Sequence, residues 1–437
     1  MTALNAAILF NNSTGSDTTA SGCGPATAVT ITLQTSAGSN TANASGSLSS
    51  ISAGDLMYVP SFTGRKFNVI ASVQPLGGTI TFDDNWDDSA SGVSGYVGGK
   101  RATLEGSSQL FDYNYSSGKT QEIELETDQT ITTHLGDASF GSLGVTTTVR
   151  PSSGSRAKIT NNNTTATYGS YIFFGGTWEV FDIDFESTAT GQQPFVAGST
   201  SNTQRVTGSF TGCTAKSQTN NFYSFAGASY PNNLHFNRCE FAYFSSTVLN
   251  NLSYEQNVCN CYFHDNASHC IGNTSNVGAQ YRVTNCVFDN NYGFIYTFGP
   301  LNSFFSGCII NNTSNSLFGT AYGGSYNLFI GNIFTNNSGT VHANVVQATS
   351  RFLDNAFYNN TNIDSTFGLN FGAITLTADP FVSASTGDFN LNADAGGGAT
   401  LRANNFSLNT ETAVYPFRQY VSDAFGGGGG SQFHPLG

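Results

Sequence analysis

One position in this chain alternates only between Cys and Asn, and it recurs from residue 213 to residue 355 at intervals of 26, 22, 25, 22, 24 and 23 residues. Its members are Cys213, Cys239, Cys261, Cys286, Cys308, Asn332 and Asn355. From Cys239 onward each stands three residues after an apolar residue and two before another, as in Phe236-Asn-Arg-Cys239-Glu-Phe241 and Phe352-Leu-Asp-Asn355-Ala-Phe357. A second apolar track, Val248, Ile271, Phe294, Leu317 and Val341, advances by 23, 23, 23 and 24 residues. Two tracks at one period identify a repeat architecture, in which a single unit cannot bury its apolar face and stacking supplies the core.

The repeat is made of strands. Gly, Asn, Thr and Phe at these densities form helices poorly, which argues against a leucine-rich or other α/β repeat. Only 10% of residues are charged, 36 are Phe and 49 are Gly, a composition that suits short strands joined by many turns. The expected fold class is therefore all-β, a right-handed parallel β-helix with a small amino-terminal β-domain or cap. Coils stacked at about 4.8 Å would place Phe241, Phe263, Phe288, Ile310, Phe334 and Phe357 in one apolar column. The Cys/Asn residues would form a second, structural stack facing the core, with a corner or bulge between the two apolar flanks. The pairs Asn290-Asn291, Asn311-Asn312, Asn336-Asn337 and Asn359-Asn360 predict a turn carrying a hydrogen-bonded amide ladder.

Three segments are expected. Residues 1–115 read as a small antiparallel β-domain serving as attachment or cap, on the runs Gly54 to Val59, Arg65 to Val73 and Gly78 to Phe82. Residues 116–395 read as the parallel β-helix, with Ile123 to Leu125 and Trp178 to Phe185 as early strands. Residues 396–437 read as an extension whose Gly426 to Gly430 run is a flexible linker.

Charge limits the partners. A formal net charge of −13, without a basic cluster, argues against nucleic acid. No stretch is long enough to span a membrane as a helix, and Leu4 to Phe10 lacks the basic flank of a signal peptide, so synthesis in a cytoplasm is the expectation. The eight cysteines are then reduced, buried thiols.

Glu122, Glu124 and Glu126 share a strand face but read as a solvated edge. Asp265 and Asp289 fall at equivalent places in adjacent repeats, within reach of each other, in a polar turn. Cys259, Cys261, His264, His269 and Cys270 have ligand types that suit zinc but a spacing that matches no common finger. The run from Asp83 to Asp88 opens like a calcium loop but has Ser94 where the closing Glu belongs. No catalytic residue, metal or cofactor is assigned. Tyr171, Tyr254, Tyr296 and Tyr322 are candidate sugar-stacking rings at coil edges.

Two resemblances add to this. Ala378-Asp-Pro-Phe-Val382 with Gly387-Asp-Phe-Asn-Leu391 resembles the closing motif of right-handed β-helix proteins of the pectate-lyase-like superfamily. The opening Met1 to Phe10, with Gly15-Ser-Asp-Thr18, Asp84-Asn-Trp-Asp87 and Gly98 to Leu104, looks like the amino end of β-helix proteins of tailed bacteriophages. The resemblance implies a virion surface protein (capsid decoration, head fibre, tail fibre or spike), homotrimeric and touching other virion proteins and host-surface polysaccharide. The leading expectation is a non-enzymatic structural or host-attachment role. The alternatives are a polysaccharide depolymerase, which clustered carboxylates in a groove would favour, and a self-assembling extracellular filament protein.

Overall fold

The computed structural model describes residues 3–104, 121–132, 146–152, 155–162, 173–174, 176–187, 196–198, 206–217, 223–225, 233–250, 254–272, 279–298, 303–315, 317–321, 327–339, 351–361 and 370–404. These form a nearly all-β chain of parallel sheets stacked as a solenoid, with a small antiparallel barrel near the amino end. The chain divides into two compact units, residues 1–235 with 244–254, and residues 236–243 with 255–437.

In the first unit, strand Ile8–Phe10 pairs in parallel with Gln121–Leu125, so the first strand of the solenoid sheet precedes the barrel in sequence. Ile8, Ile123, Val149, Val180 and Phe210 then lie in register and buried, one per coil. Between the first two of these strands the barrel closes from six strands, Val29–Thr35, Thr41–Gly46, Leu56–Tyr58, Phe67–Gln74, Thr79–Phe82 and Ala90–Val97. The sequence reading found a three-strand unit here. The strand it missed most completely, Thr41–Gly46, turns only Ala42 and Ala44 inward and so carries no bulky apolar signal. Trp86 fills the barrel core, edge-on to Phe62 and Phe82 at 5.1 and 5.0 Å. The acidic run around it is spent within the barrel: Asp88 accepts from Gly64 N–H and Thr63 Oγ1, Asp87 accepts from Arg65 N–H, and Asp84 pairs with Arg65.

The second unit holds the regular repeat. Phe241, Phe263, Phe288, Ile310, Phe334 and Phe357 are exact register partners from coil to coil. Their rings stack at 4.8 Å for Phe241 on Phe263 and for Phe263 on Phe288, the spacing that parallel pairing dictates. A parallel column, Val283, Phe305, Phe329 and Phe352, lines the adjoining sheet. The corner between the two is a single left-handed residue immediately before each Cys/Asn position: Arg238, Asn260, Asn285, Gly307, Gly331 and Asp354 all have φ between 50° and 63°. At Gly307 a Cβ would come within 2.6 Å of Asn285 Oδ1 in the coil before.

The second track is offset from the sequence alignment. Ile271 pairs with Ile295, which puts Cys270 level with Phe294. Both Cys270 and Ile271 are buried, so counting apolar residues alone cannot fix the register. Val341 lies outside the described residues.

Strands Phe381–Ser383 and Asp388–Leu391 form an antiparallel hairpin, followed by helix Gly398–Ala403. Phe381, Phe389, Leu391 and Leu401 pack on Tyr262, Val287, Ile309, Ile333, Ala356 and Leu376, a column of apolar side chains adjacent in sequence to the inward Phe column. The sheet face is thus apolar on both sides over these coils, and the carboxy-terminal segment covers the outer one.

Candidate functional site

The Cys/Asn ladder is interior. Cys213, Cys239, Cys261, Cys286, Cys308, Asn332 and Asn355 are each 2% exposed or less, and no cysteine forms a disulfide. Each thiol of the ladder donates to a backbone carbonyl, as Cys261 Sγ does to Cys259 O at 3.2 Å. Asn332 and Asn355 do the same work with a stronger group: Asn355 Oδ1 accepts both from Asn332 N–H at 2.9 Å and from Asn332 Nδ2 at 3.0 Å, while Asn355 Nδ2 donates to Phe329 O. Burial pushes the Cys261 and Cys308 thiols up, and that of half-buried Cys259 up to about 11, which leaves them as unreactive packing groups. The ladder carries no surface chemistry.

The chemistry sits at the next corner. Tyr243, Asp265, Asn290, Asn312, Asn336 and Asn359 are left-handed, with φ between 49° and 62°. An outer amide ladder joins several of them: Asn290 Nδ2 donates to Asp265 Oδ1 at 2.6 Å, Asn312 Nδ2 to Asn290 Oδ1 at 3.1 Å, and Asn359 Nδ2 to Asn336 Oδ1 at 2.9 Å. An inner ladder follows one residue later, where Asn266 Nδ2 donates to Asn291 Oδ1 at 2.9 Å and Asn337 Nδ2 to Asn360 Oδ1 at 2.9 Å. The pair Asn311-Asn312 is offset by one from the other pairs. Asn311 is the strand partner of Asp289, and Thr313 N–H accepts its place in the inner ladder by donating to Asn337 Oδ1.

The same one-residue offset corrects the acidic pair. Asp289 is the register partner of His264, so Asp265 is equivalent to Asn290 rather than to Asp289. The polar column beside the corner therefore runs His264, Asp289, Asn311, Thr335, Tyr358.

His264 is the centre. Its Nε2 lies 2.7 Å from Glu240 Oε1 and its Nδ1 2.7 Å from Asp265 Oδ2. Burial opposes protonation of the ring, but the hydrogen bonds to Asp265 and Glu240 outweigh it and raise the imidazole above its ordinary value. Tyr262 stacks on the ring at 4.4 Å and Tyr243 meets it edge-on at 5.7 Å. Glu240 is 1% exposed because it stands at the end of the outward apolar column, as register partner of Tyr262, and its second oxygen, Oε2, has no hydrogen-bond partner. Asp289 accepts from Asn311 Nδ2 at 2.7 Å and from Tyr262 Oη at 3.3 Å, yet burial raises its carboxyl. The His264 hydrogen bond holds Asp265 below the usual carboxylate range.

These groups line a groove of about 940 Å³ whose opposite wall is the carboxy-terminal segment, with Asp379, Ser383, Ser385, Asn392 and Asp394. The sequence paired Asp265 with Asp289 and offered His264 separately as a metal ligand, left Glu240 as a singly scattered acid, and gave Tyr243 no role. The available signal was position: Glu240 precedes the inward Phe241 and His264 follows the inward Phe263, so both point outward from neighbouring strands.

The other candidates lie elsewhere. Arg150 bridges Glu122 and Glu124 at 2.7 and 2.8 Å, and Glu126 is held by Lys100 and Asn11. Tyr171 and Tyr322, and the side chains of Tyr254 and Tyr296, lie outside the described residues, as does the Gly426 to Gly430 run. Among the described residues no three His, Cys, Asp or Glu side chains gather as a set able to hold a metal ion.

No protein-family model matches this chain, and no curated protein is similar to it in sequence.

Proposed function

We propose that the protein is a β-helix virion surface component that attaches to host-surface polysaccharide, with the groove around His264 as its contact. The observation that carries this is the donor and acceptor set. A shelf of amide groups (Asn290, Asn312, Asn336), carboxylates and a tyrosine ring exposed at the rim is the chemistry that holds sugar hydroxyls and stacks on pyranose faces. A rigid solenoid holds such side chains in fixed register, which lowers the ordering cost of binding an extended chain. Support for a phage virion is the likeness of the short motifs at the amino end, and the superfamily likeness rests on the closing motif whose Phe381, Phe389 and Leu391 cap the sheet.

A second reading, cleavage of that polysaccharide, is favoured by one observation. Asp265, at the corner of one coil, and Asp289, at the strand end of the next, line the groove with opposite tendencies, one held ionised and the other biased toward its protonated form. Glycoside hydrolysis divides its acid and base roles between such carboxyls.

The deciding experiment incubates the purified protein with polysaccharide from candidate hosts, measuring retention on the immobilised glycan and reducing ends in solution. Retention without release supports attachment. Release that Asp289→Asn abolishes replaces it with cleavage, and neither result on the host from whose particles the protein is recovered removes both.

A further inference from the structure

The groove has a marked imbalance of charge and of hydrogen-bonding capacity. Glu240, Asp265, Asp289, Asp379 and Asp394 line it, and among the described residues that line it there is neither Lys nor Arg. The one basic side chain among them, His264, is committed through both ring nitrogens to Glu240 and Asp265. A ligand carrying carboxylate or phosphate would meet uncompensated negative charge at every wall, a cost that grows as water is excluded.

The buried charge points the same way. Glu240 lies beneath the surface with Oε2 unpartnered, so its charge reaches the groove as field rather than as a contact. At the rim, Tyr243 is 49% exposed and offers a ring face to a cation. It does so from a left-handed backbone, φ 62°, at a corner that the following coils fill with Asp or Asn. The ring edge meets His264 at 5.7 Å, and the exposed remainder stands at the groove rim.

Resting on the glycan reading above, we infer that the groove selects a saccharide bearing a free amino group, an unacetylated hexosamine unit, over neutral sugars and against uronic acids. The ammonium lies beside the ionised Asp265 carboxylate, within the acidic lining that Asp379 and Asp394 complete and near the Tyr243 ring, and the sugar hydroxyls donate to the remaining acceptors. This preference is opposite in charge to that of enzymes acting on acidic polysaccharides.

The test is calorimetric titration of the full chain with three short oligosaccharides of equal length: glucosamine, N-acetylglucosamine and galacturonate. The amino form is expected to bind about tenfold or more tighter than the acetylated form, with the uronate weakest. Asp265→Asn and, at the exposed rim where folding is not at stake, Asp394→Asn should each shrink that ratio several-fold. Glu186→Gln, at an acidic residue that is not among those lining the groove, should leave it unchanged. Equal binding of the amino and acetylated forms, or a preference for the uronate, overturns the inference while leaving glycan attachment standing. A ratio that Glu186→Gln lowers as much as the groove variants reduces the effect to general acidity and also overturns it. Failure of all three sugars to bind sinks the inference and the glycan reading together.

Discussion

His264 and Glu240 stand on neighbouring strands two positions out of register, and their 2.7 Å hydrogen bond ties the polar column of the groove to the end of the apolar column beside it. Glu240 is buried and the imidazolium is its one charged partner among the described residues, so the pair behaves as a buried ion pair. Removing one member leaves an uncompensated buried charge. His264→Gln should therefore lose on the order of 3 kcal/mol in denaturant unfolding at pH 6, while Glu240→Gln, which removes the charge itself, should lose less.

The same contact sets a pH dependence. The folded imidazole is raised above 6.5, so its contribution is fully present below that pH and fades as pH rises through the folded value. Asp265 is depressed below 3.8, so its contribution is present above that pH and is lost as pH falls through the lower folded value. Asp289 is raised by burial, which favours the folded state on the acid side and weakens as pH rises through its folded value. Stability should peak between roughly pH 4 and pH 6.5 and decline toward pH 8. His264→Gln should flatten the decline. Imidazole titration followed by NMR reads the His264 value directly, and a value below the ordinary one would contradict the clamp.

How much of this was legible in the sequence depends on which side of a strand a residue faces. The inward Phe column and the Cys/Asn ladder could be read because burial restricts those positions to few residue types, so the period survives in letters. The outward positions have no such restriction. His264, Asp289, Asn311, Thr335 and Tyr358 form one column yet share no chemistry, and Glu240, Tyr262 and Val287 form another. Corners between them vary by a residue from coil to coil, which is why Asp265 was matched with Asp289 and Ile271 with Phe294. The outer apolar column was invisible for a different reason: alternation predicts a wet outer face, and the segment that dries it comes more than a hundred residues after Tyr262.

Tyr243 offers a test of whether the corner trades stability for function. Asn at this position would restore the residue type that Asn290, Asn312 and Asn336 supply and would relieve the left-handed strain. Tyr243→Asn should raise stability by about 1 kcal/mol and weaken glycan retention by several-fold. Thermal unfolding and a binding isotherm on one preparation check both halves.

Within the ladder, Asn and Cys should not be equivalent. Asn355→Ala strips the acceptor from Asn332 N–H and Nδ2 and the donor from Phe329 O, all buried, and should cost about 3 kcal/mol or more. Cys308→Ala removes a weak donor to Val283 O and Ser306 O at 3.7 and 3.5 Å and a weak sulfur contact with Cys286, and should cost about 1 to 2 kcal/mol. Equal losses in urea unfolding would show that volume, not hydrogen bonding, governs the stack.

The carboxy-terminal segment should be needed for both solubility and binding. Phe381, Phe389, Leu391 and Leu401 cover Val287, Ile309, Ile333 and Ala356, whose exposure would give the sheet a continuous apolar face along the coils. The segment also supplies Asp379, Ser383, Asn392 and Asp394 to the groove. A chain ending at Thr377 should bind a hydrophobic dye, self-associate in sedimentation and lose glycan retention. Phe389→Ala separates the two effects. Its ring packs against Phe381 at 5.1 Å inside the cap and is not among the groove-lining residues, so the variant should lose about 3 to 4 kcal/mol of stability. Below its melting temperature it should keep most of its binding, because the groove wall is held in addition by Asn392 Nδ2, which donates to Asp379 O at 2.7 Å and to Phe381 O at 2.9 Å. Loss of binding in a folded Phe389→Ala protein would mean that the cap positions the groove through its apolar contacts rather than through that asparagine.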